Sequence, residues 1–326
     1  REAVALDAIT TANFDHDWDT TVREDTDLYS QAGANITLKS TGHYLVMYGA
    51  RFDTITGSNR SEVQSQLRLA GADLPIGWSQ GYMRRSNGVD ELFNAGGAII
   101  DVATADDVLV LRSFRTDDNT AGVQRDPNAS GIQLVKLNDS WDYARLKRTT
   151  AQTGPTGATY VEVQYNSQDE LDTGSFAHST SVNPENITLV TAGHYLVLAN
   201  TYGTTGTAND RTVLQQKLTL NGSDIDGTLT TVMIRGSQST TEGAASIGTI
   251  IETTSANMVL NVEVNRILGS ATITLNEDGG GTTVERSAVT IVKLPDTADY
   301  IRLDDSGTDN MNPSSLTAMG WNIEGE

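Results

Sequence analysis

The chain has no cysteine, so no disulfide, thiolate metal site or cysteine nucleophile can form. Its stability must come from packing or assembly rather than cross-links. Positive charge is scarce. Against 42 Asp and Glu stand 22 Lys and Arg, a formal charge of −20. The deficit is uneven: residues 1–150 hold 21 acids and 15 bases, residues 151–326 hold 21 and 7. Such a chain repels nucleic acid phosphates and anionic lipid, which argues against both as partners. The simplest use of the acidity is solubility. No apolar run approaches the roughly 18 residues of a membrane span, so no membrane insertion is expected. The opening Arg1-Glu2-Ala3-Val4 does not read as a signal peptide. No stretch shows a clear helical period of 3.6.

What is present is short apolar runs of Val, Ile, Thr and Leu, cut by Gly, Asn, Asp and Ser. That pattern predicts an all-β sandwich or barrel. One of these runs occurs twice. Asn35-Ile36-Thr37-Leu38 is followed, three residues later, by Gly42-His43-Tyr44-Leu45-Val46; Asn186-Ile187-Thr188-Leu189 is followed in the same way by Gly193-His194-Tyr195-Leu196-Val197. The offset is 151 residues. It holds for Arg60, Gln64, Leu67, Leu69 and Gly71 against Arg211, Gln215, Leu218, Leu220 and Gly222, and for Ile99-Ile100 against Ile250-Ile251. Phe14 falls on Tyr165 at that offset, which predicts the first, edge-like strand of each copy.

The offset then slips by six. Val135-Lys136-Leu137 matches Val292-Lys293-Leu294, and Asp142, Tyr143, Arg145 and Leu146 match Asp299, Tyr300, Arg302 and Leu303. An insertion is therefore expected near 275–283, with Asn276-Glu277-Asp278-Gly279-Gly280-Gly281 at its loop tip. The chain reads as two copies of one domain: 1–148, a linker at 149–159, 160–303, and a tail at 304–326. In the repeated strand both faces are apolar, since Leu45 and Met47 alternate with Tyr44, Val46 and Tyr48. Such a strand either lies between two sheets or has its outer face covered by another subunit.

Gly42-x-Tyr44-x-Val46 followed by Tyr48 resembles the G-x-Y strand of C1q/TNF-like jelly-roll domains. So do Gly96 to Asp101 leading through Asp106-Asp107 to Val108-Leu109-Val110, and the closing Ser130-Gly131-Ile132-Gln133-Leu134. The second copy keeps Gly193, Tyr195, Ile250, Ile251 and Leu260 but lacks the closing glycine and the acidic turn. The resemblance implies two tandem jelly-roll domains that assemble as a homotrimer. It places the G-x-Y strand at the threefold contact, with His43, Tyr44, Tyr48, His194 and Tyr195 as interface residues.

Residues that carry chemistry are few. Gly77-Trp78-Ser79-Gln80-Gly81 matches the nucleophile elbow G-x-S-x-G, which needs a strand before the serine and a helix after it. Pro75 interrupts the lead-in, and residues 83–88 do not read as a helix, so a plain turn is expected. Of four histidines, two are the repeated pair, which points to packing or an interface rather than metal. Asp15-His16-Asp17-Trp18-Asp19, Asp224-Ile225-Asp226 and Asn276-Glu277-Asp278 gather oxygens that could hold calcium; none has EF-hand spacing, and solvated loop acids are the simpler reading. Asn-x-Ser/Thr at Asn35, Asn59, Asn128, Asn138, Asn186 and Asn221 is expected by chance in such a composition.

No catalytic residue and no cofactor is therefore assigned. The expectation is a non-enzymatic virion structural protein, a capsid-surface decoration, cement or fibre protein bound to other virion proteins such as the capsid shell. One alternative is a secreted carbohydrate-binding or adhesive module that meets host-surface glycan through Trp18, Trp78 and Trp141. The other is a double jelly-roll major capsid protein. Each of these places the chain at a virion surface or outside the cell.

Overall fold

The computed structural model describes residues 8–18, 25–54, 60–84, 91–116, 122–205, 211–235, 241–276 and 286–296, with a strand pair at 303–304 and 323–324. The described residues form strands and turns, with no helix. Every strand pairing is antiparallel, and the sheets stack in sandwich-like layers.

In the first copy one sheet runs Ala8–Ile9, Val123–Lys136, Gly42–Thr54, Glu91–Val102. The facing sheet runs Tyr29–Ala32, Asn35–Leu38, Asp107–Arg115, Arg60–Leu69, with Ser79–Arg84 also on Arg60–Leu69. The second copy repeats both orders. Gln152–Thr153, then Ile273–Leu275 with Ala288–Lys293, then Gly193–Thr205 and Glu242–Thr253 make its first sheet. Phe176–His178, Ile187–Leu189, Met258–Leu268, Arg211–Leu220 and Thr230–Arg235 make its second. The register repeats as well. Gly42 faces Val102 and Asp53 faces Glu91; 151 residues on, Gly193 faces Thr253 and Thr204 faces Glu242.

Alternation explains the cores. Along Gly42–Thr54, Tyr44, Val46, Tyr48, Ala50 and Phe52 point into the first core beside Leu67, Leu109 and Leu111. Tyr195, Val197 and Ala199 do the same in the second, against Leu218, Leu260 and Ile291. The turns match too. Ala70-Gly71 and Asn221-Gly222 all have positive φ, 50°, 81°, 49° and 75°, the geometry of a tight hairpin of the I′ kind.

Two sequence expectations change. Phe14 does not align with Tyr165: Phe14 lies opposite Ser113 and Val161 opposite Val264, so the N-terminal offset is 147 and Trp18 takes the place of Tyr165. The expected insertion agrees with the registers on either side of it: Arg125 and Leu275 take equivalent places opposite Phe52 and Gly203, and Lys136 and Lys293 opposite Tyr44 and Tyr195, so the second copy is the longer between them; residues 277–285, most of that insertion, lie outside the described residues. Finally, Tyr143–Lys147, read as the end of the first copy, hydrogen-bonds to Ala288–Lys293 on one side and Ser167–Leu171 on the other. It is a strand of the second copy's sheet. Within the expected linker, Gln152–Thr153 pairs with Ile273–Leu275.

Candidate functional site at the seam between the copies

The outer face of the repeated strand is covered by the other copy of the same chain. Leu45, Ile99, Leu137, Tyr143 and Val292 form one buried cluster, with Met47, Trp141, Leu196 and Leu198 packed against it. Ile76, Ala98 and Ala288 form a smaller one beside it. A two-sided strand has two explanations, a place between two sheets or a cover from another subunit. The tandem partner supplies the cover here.

The five expected interface residues divide. Tyr44, Tyr48 and Tyr195 are 0%, 5% and 0% exposed. Their rings fill the cores of their own copies, which leaves no side-chain surface to meet another subunit. The Tyr44 hydroxyl donates to the Ser40 carbonyl at 2.8 Å and Tyr195 to the Thr191 carbonyl at 2.6 Å. Each tyrosine thus staples the turn four residues before it. That is a physical reason for the repeat. His43 does face outward: its ring lies 4.8 Å from Tyr143, and Nε2 is 3.8 Å from Asp101. His194 is half-buried opposite Glu252.

At one end the seam turns polar. The Gln80 amide nitrogen donates one hydrogen to Glu62 at 2.9 Å and the other to Glu242 at 3.1 Å. One side-chain amide therefore bridges carboxylates from the two copies. Glu242 also accepts from the Tyr202 hydroxyl, and Arg286 donates to that hydroxyl at 2.8 Å. Tyr202 is fully buried. Burial, more than its charged neighbours, pushes its phenol well above the usual range. The Arg286 guanidinium lies 4.1 Å from the centre of the Trp78 ring, within cation–π reach. Arg235 reaches back to the Tyr82 hydroxyl at 3.4 Å. This mouth opens into a cleft of about 410 Å³ lined by Trp78, Phe114, Gln64, Gln66, Glu242 and Arg286, among others.

The remaining motifs fall elsewhere. Ser79 is buried and opens the strand Ser79–Arg84 opposite Ser65; a strand, not a helix, follows the G-x-S-x-G serine. Trp18 is buried in the first core and Trp141 packs on the seam, so of the three proposed sugar-contacting tryptophans only Trp78 lines a cleft. Asp15 holds Arg112 through two bonds of 2.6 and 2.9 Å, and Asp224 pairs with Lys217. Asn276 is fully buried and binds backbone groups of Arg148, Arg286 and Ser287. These oxygens of the candidate calcium clusters are already engaged; Glu277 and Asp278 lie outside the described residues.

Sequence reading missed one pair. His16 Nε2 lies 2.8 Å from Ser113 Oγ, which lies 2.8 Å from Ser65 Oγ. A histidine on a serine is half of a nucleophilic triad. Here both are 0% exposed, and Phe14, Trp18 and Phe52 surround the imidazole. Burial pulls its pKa down to about 3. Nothing in the spacing of residues 16, 65 and 113 announces the contact; only the strand pairing creates it. The seam network was equally hidden, because its members lie far apart in sequence.

No family model matches the chain, and no curated protein does. Among solved structures it is similar to PNGF-II, at 8% identity over 92% of this chain and 65% of that one, TM-score 0.29. It is similar to the tandem CBM22-1-CBM22-2 domain of Paenibacillus barcinonensis Xyn10C, at 12% identity over 90% and 100%, TM-score 0.23. It is also similar to the VP2 subviral particle of infectious bursal disease virus, at 14% identity over 90% and 81%, TM-score 0.23. The chain thus spans just under two thirds of the length of PNGF-II. Scores this low establish neither a common fold nor a common role.

Proposed function

We propose that this chain is a non-enzymatic structural protein of a virion surface, a decoration, cement or fibre protein that assembles as a homotrimer on the capsid shell. In this reading each copy is a C1q/TNF-like jelly roll. The support is that Asn35–Leu38, Gly42–Thr54 and Arg60–Leu69 alternate between the two sheets of the first copy, as successive strands of a jelly roll do. The reading needs no metal and no organic cofactor.

One observation carries it. The last strand of the first copy is built into the sheet of the second, over a seam closed by Ile99, Tyr143 and Val292. Two copies so joined form one stiff block, suited to spacing and bracing neighbours rather than to opening and closing around a substrate. The test is fractionation of purified particles with mass spectrometry, together with light scattering on the isolated chain. The reading expects the chain in the particle fraction and a trimer in solution. A monomer at every concentration, absent from particles, overturns it.

A second reading is favoured by the seam cleft. Trp78 offers an aromatic surface, and Gln64, Gln66 and Glu242 offer hydrogen-bonding groups around it, a combination suited to a sugar ring. Glycan-array binding that disappears in Trp78→Ala would favour an adhesive module.

A further inference from the structure

In the second copy, the outer edge of Ala288–Lys293 is occupied by Tyr143–Lys147. The equivalent edge in the first copy is residues 131–136, at the offset of 157 that relates Val135 to Val292. Those residues pair with Gly42–Thr54 on one side, and among the described residues no strand pairs with them on the other. The side chains record the difference. Val135 is 44% exposed, whereas Val292 is 1% exposed. Ile132 and Leu134 are half-buried, while Val289 and Ile291 are fully buried. The edge sequence Gly131-Ile132-Gln133-Leu134-Val135-Lys136 carries no proline and one charge, so it lacks the usual protection of a free edge.

The strand that would fill it recurs in the chain. Asp142-Tyr143-Ala144-Arg145-Leu146 returns as Asp299-Tyr300-Ile301-Arg302-Leu303, four identities in five. The lead-in has the same length, from Leu137 to Tyr143 and from Leu294 to Tyr300. Leu303–Asp304 pairs with Ile323–Glu324 in a separate two-stranded sheet. In the same way Leu146 and Lys147 pair with Gln168 and Ser167. At Leu303–Asp304 the tail therefore pairs as Leu146 and Lys147 do.

The free faces agree. The seam is asymmetric: the first copy presents Trp78, Gln80 and Tyr82, and the second presents Arg235, Glu242 and Arg286. At the positions equivalent to Trp78 and Tyr82, the second copy carries Leu229 and Met233, 59% and 36% exposed. On the first copy, Phe93 is 59% exposed where its equivalent Ala244 is 8%. Each end of the block thus shows the half of a seam that its other end has used, in apolar form. A contact between unlike faces passes from one molecule to the next and closes as a ring where the rotation allows, as in a homotrimer.

We propose that a second copy of this chain completes the first copy's sheet, laying its segment 299–304 along residues 131–136 by strand addition. This deepens the structural reading above and rests on it. The register follows from the seam. Arg145 faces Thr290, so Arg302 faces Gln133. One bond changes hands: Lys136 N–H donates to the Tyr29 hydroxyl at 3.0 Å, while Lys293 N–H donates to the Asp142 carbonyl at 2.9 Å. Docking replaces the phenol by the carbonyl of Asp299.

The absence of cysteine makes the test clean. Gln133→Cys and Arg302→Cys are prepared as separate full-length variants, checked for wild-type melting, mixed and mildly oxidised. The expected result is a disulfide-linked dimer in the mixture well above either variant alone, with peptide mapping joining positions 133 and 302. The double variant should give linked dimers and trimers. No excess in the mixture, or a double variant that closes within one monomer, overturns the proposal. Light scattering on the unmodified chain separates the two levels. An oligomer without the cross-link sinks this contact and leaves the structural reading standing; a monomer sinks both.

Discussion

The two copies share a backbone register but not an interior. His16 in the first stands where Val163 stands in the second, since His16 N–H donates to the Leu111 carbonyl and Val163 N–H to that of Val262. Ser113 stands where Val264 stands, and Asn94 where Ala245 stands. Three members of a hydrogen-bonded set in one core are replaced by apolar residues in the other, while Ser65, which joins them, is replaced by Gln216, whose amide donates to the Ala199 carbonyl at 3.3 Å; all are fully or almost fully buried. The physical reason lies in the cost of halves. Losing one partner leaves a buried polar group unsatisfied, whereas replacing both by apolar groups is close to neutral. Repeats under this constraint diverge in pairs, while the strand registers that carry the pairs stay fixed.

The largest expected effect tests what the copies keep. Tyr195→Ala removes a fully buried ring from the second core and should cost about 4 kcal/mol; Tyr44→Ala should cost the first copy a similar amount. Denaturant unfolding of both variants measures it. A cost near zero in either copy would mean that the repeated tyrosine is not the common anchor. Next comes the seam between them. Ile99→Ala should cost about 3 kcal/mol and uncouple the halves, so that one unfolding transition becomes two by calorimetry. A single transition in the variant would show that the seam does not set the cooperativity.

A third prediction targets the divergence itself. Ser113→Val alone leaves the His16 imidazole without that partner and should cost about 2 kcal/mol, while His16→Val with Ser113→Val should recover most of the loss. Acid provides a second readout. The buried imidazole has its pKa lowered from 6.5 to about 3, so the unfolded chain binds the proton first. Its contribution is complete above pH 6.5 and is lost as pH falls from 6.5 toward 3, at up to about 1.4 kcal/mol per unit. The double variant should lose that slope. Equal acid sensitivity in wild type and double variant would place the titrating group elsewhere.

Much of the fold was legible because it was written twice. Asn35–Leu38 and Gly42–Thr54 recur as Ile187–Leu189 and Gly193–Thr205. The outward apolar face of Leu45 and Met47 was legible as a surface needing cover; what covers it was not. A match between Tyr143 and Tyr300 shows repetition but not which sheet a strand joins. That depends on the path after Leu137, and the five residues Asn138-Asp139-Ser140-Trp141-Asp142 give no direction. The candidate site was the least legible. Gln80, Glu62, Glu242 and Arg286 become neighbours only because two copies pack, and packing of copies leaves no period in the sequence.

The smallest effect separates the ring of the repeated tyrosine from its hydroxyl. Tyr44→Phe and Tyr195→Phe keep the buried ring and remove only the bonds to the turns at Ser40 and Thr191. Each should cost about 1 kcal/mol, well below the alanine variants. The difference between copies is informative. Tyr44 packs edge-on against Tyr29 at 6.0 Å, and Tyr29 is tied to Lys136 on the open sheet edge. Tyr195 packs on Phe176 at 5.7 Å, which has no such tie. Amide exchange should therefore quicken at residues 40–44 and 134–136 in Tyr44→Phe, but only at 191–195 in Tyr195→Phe. Equal and local effects in both copies would show that the staple holds its own turn and nothing of the edge.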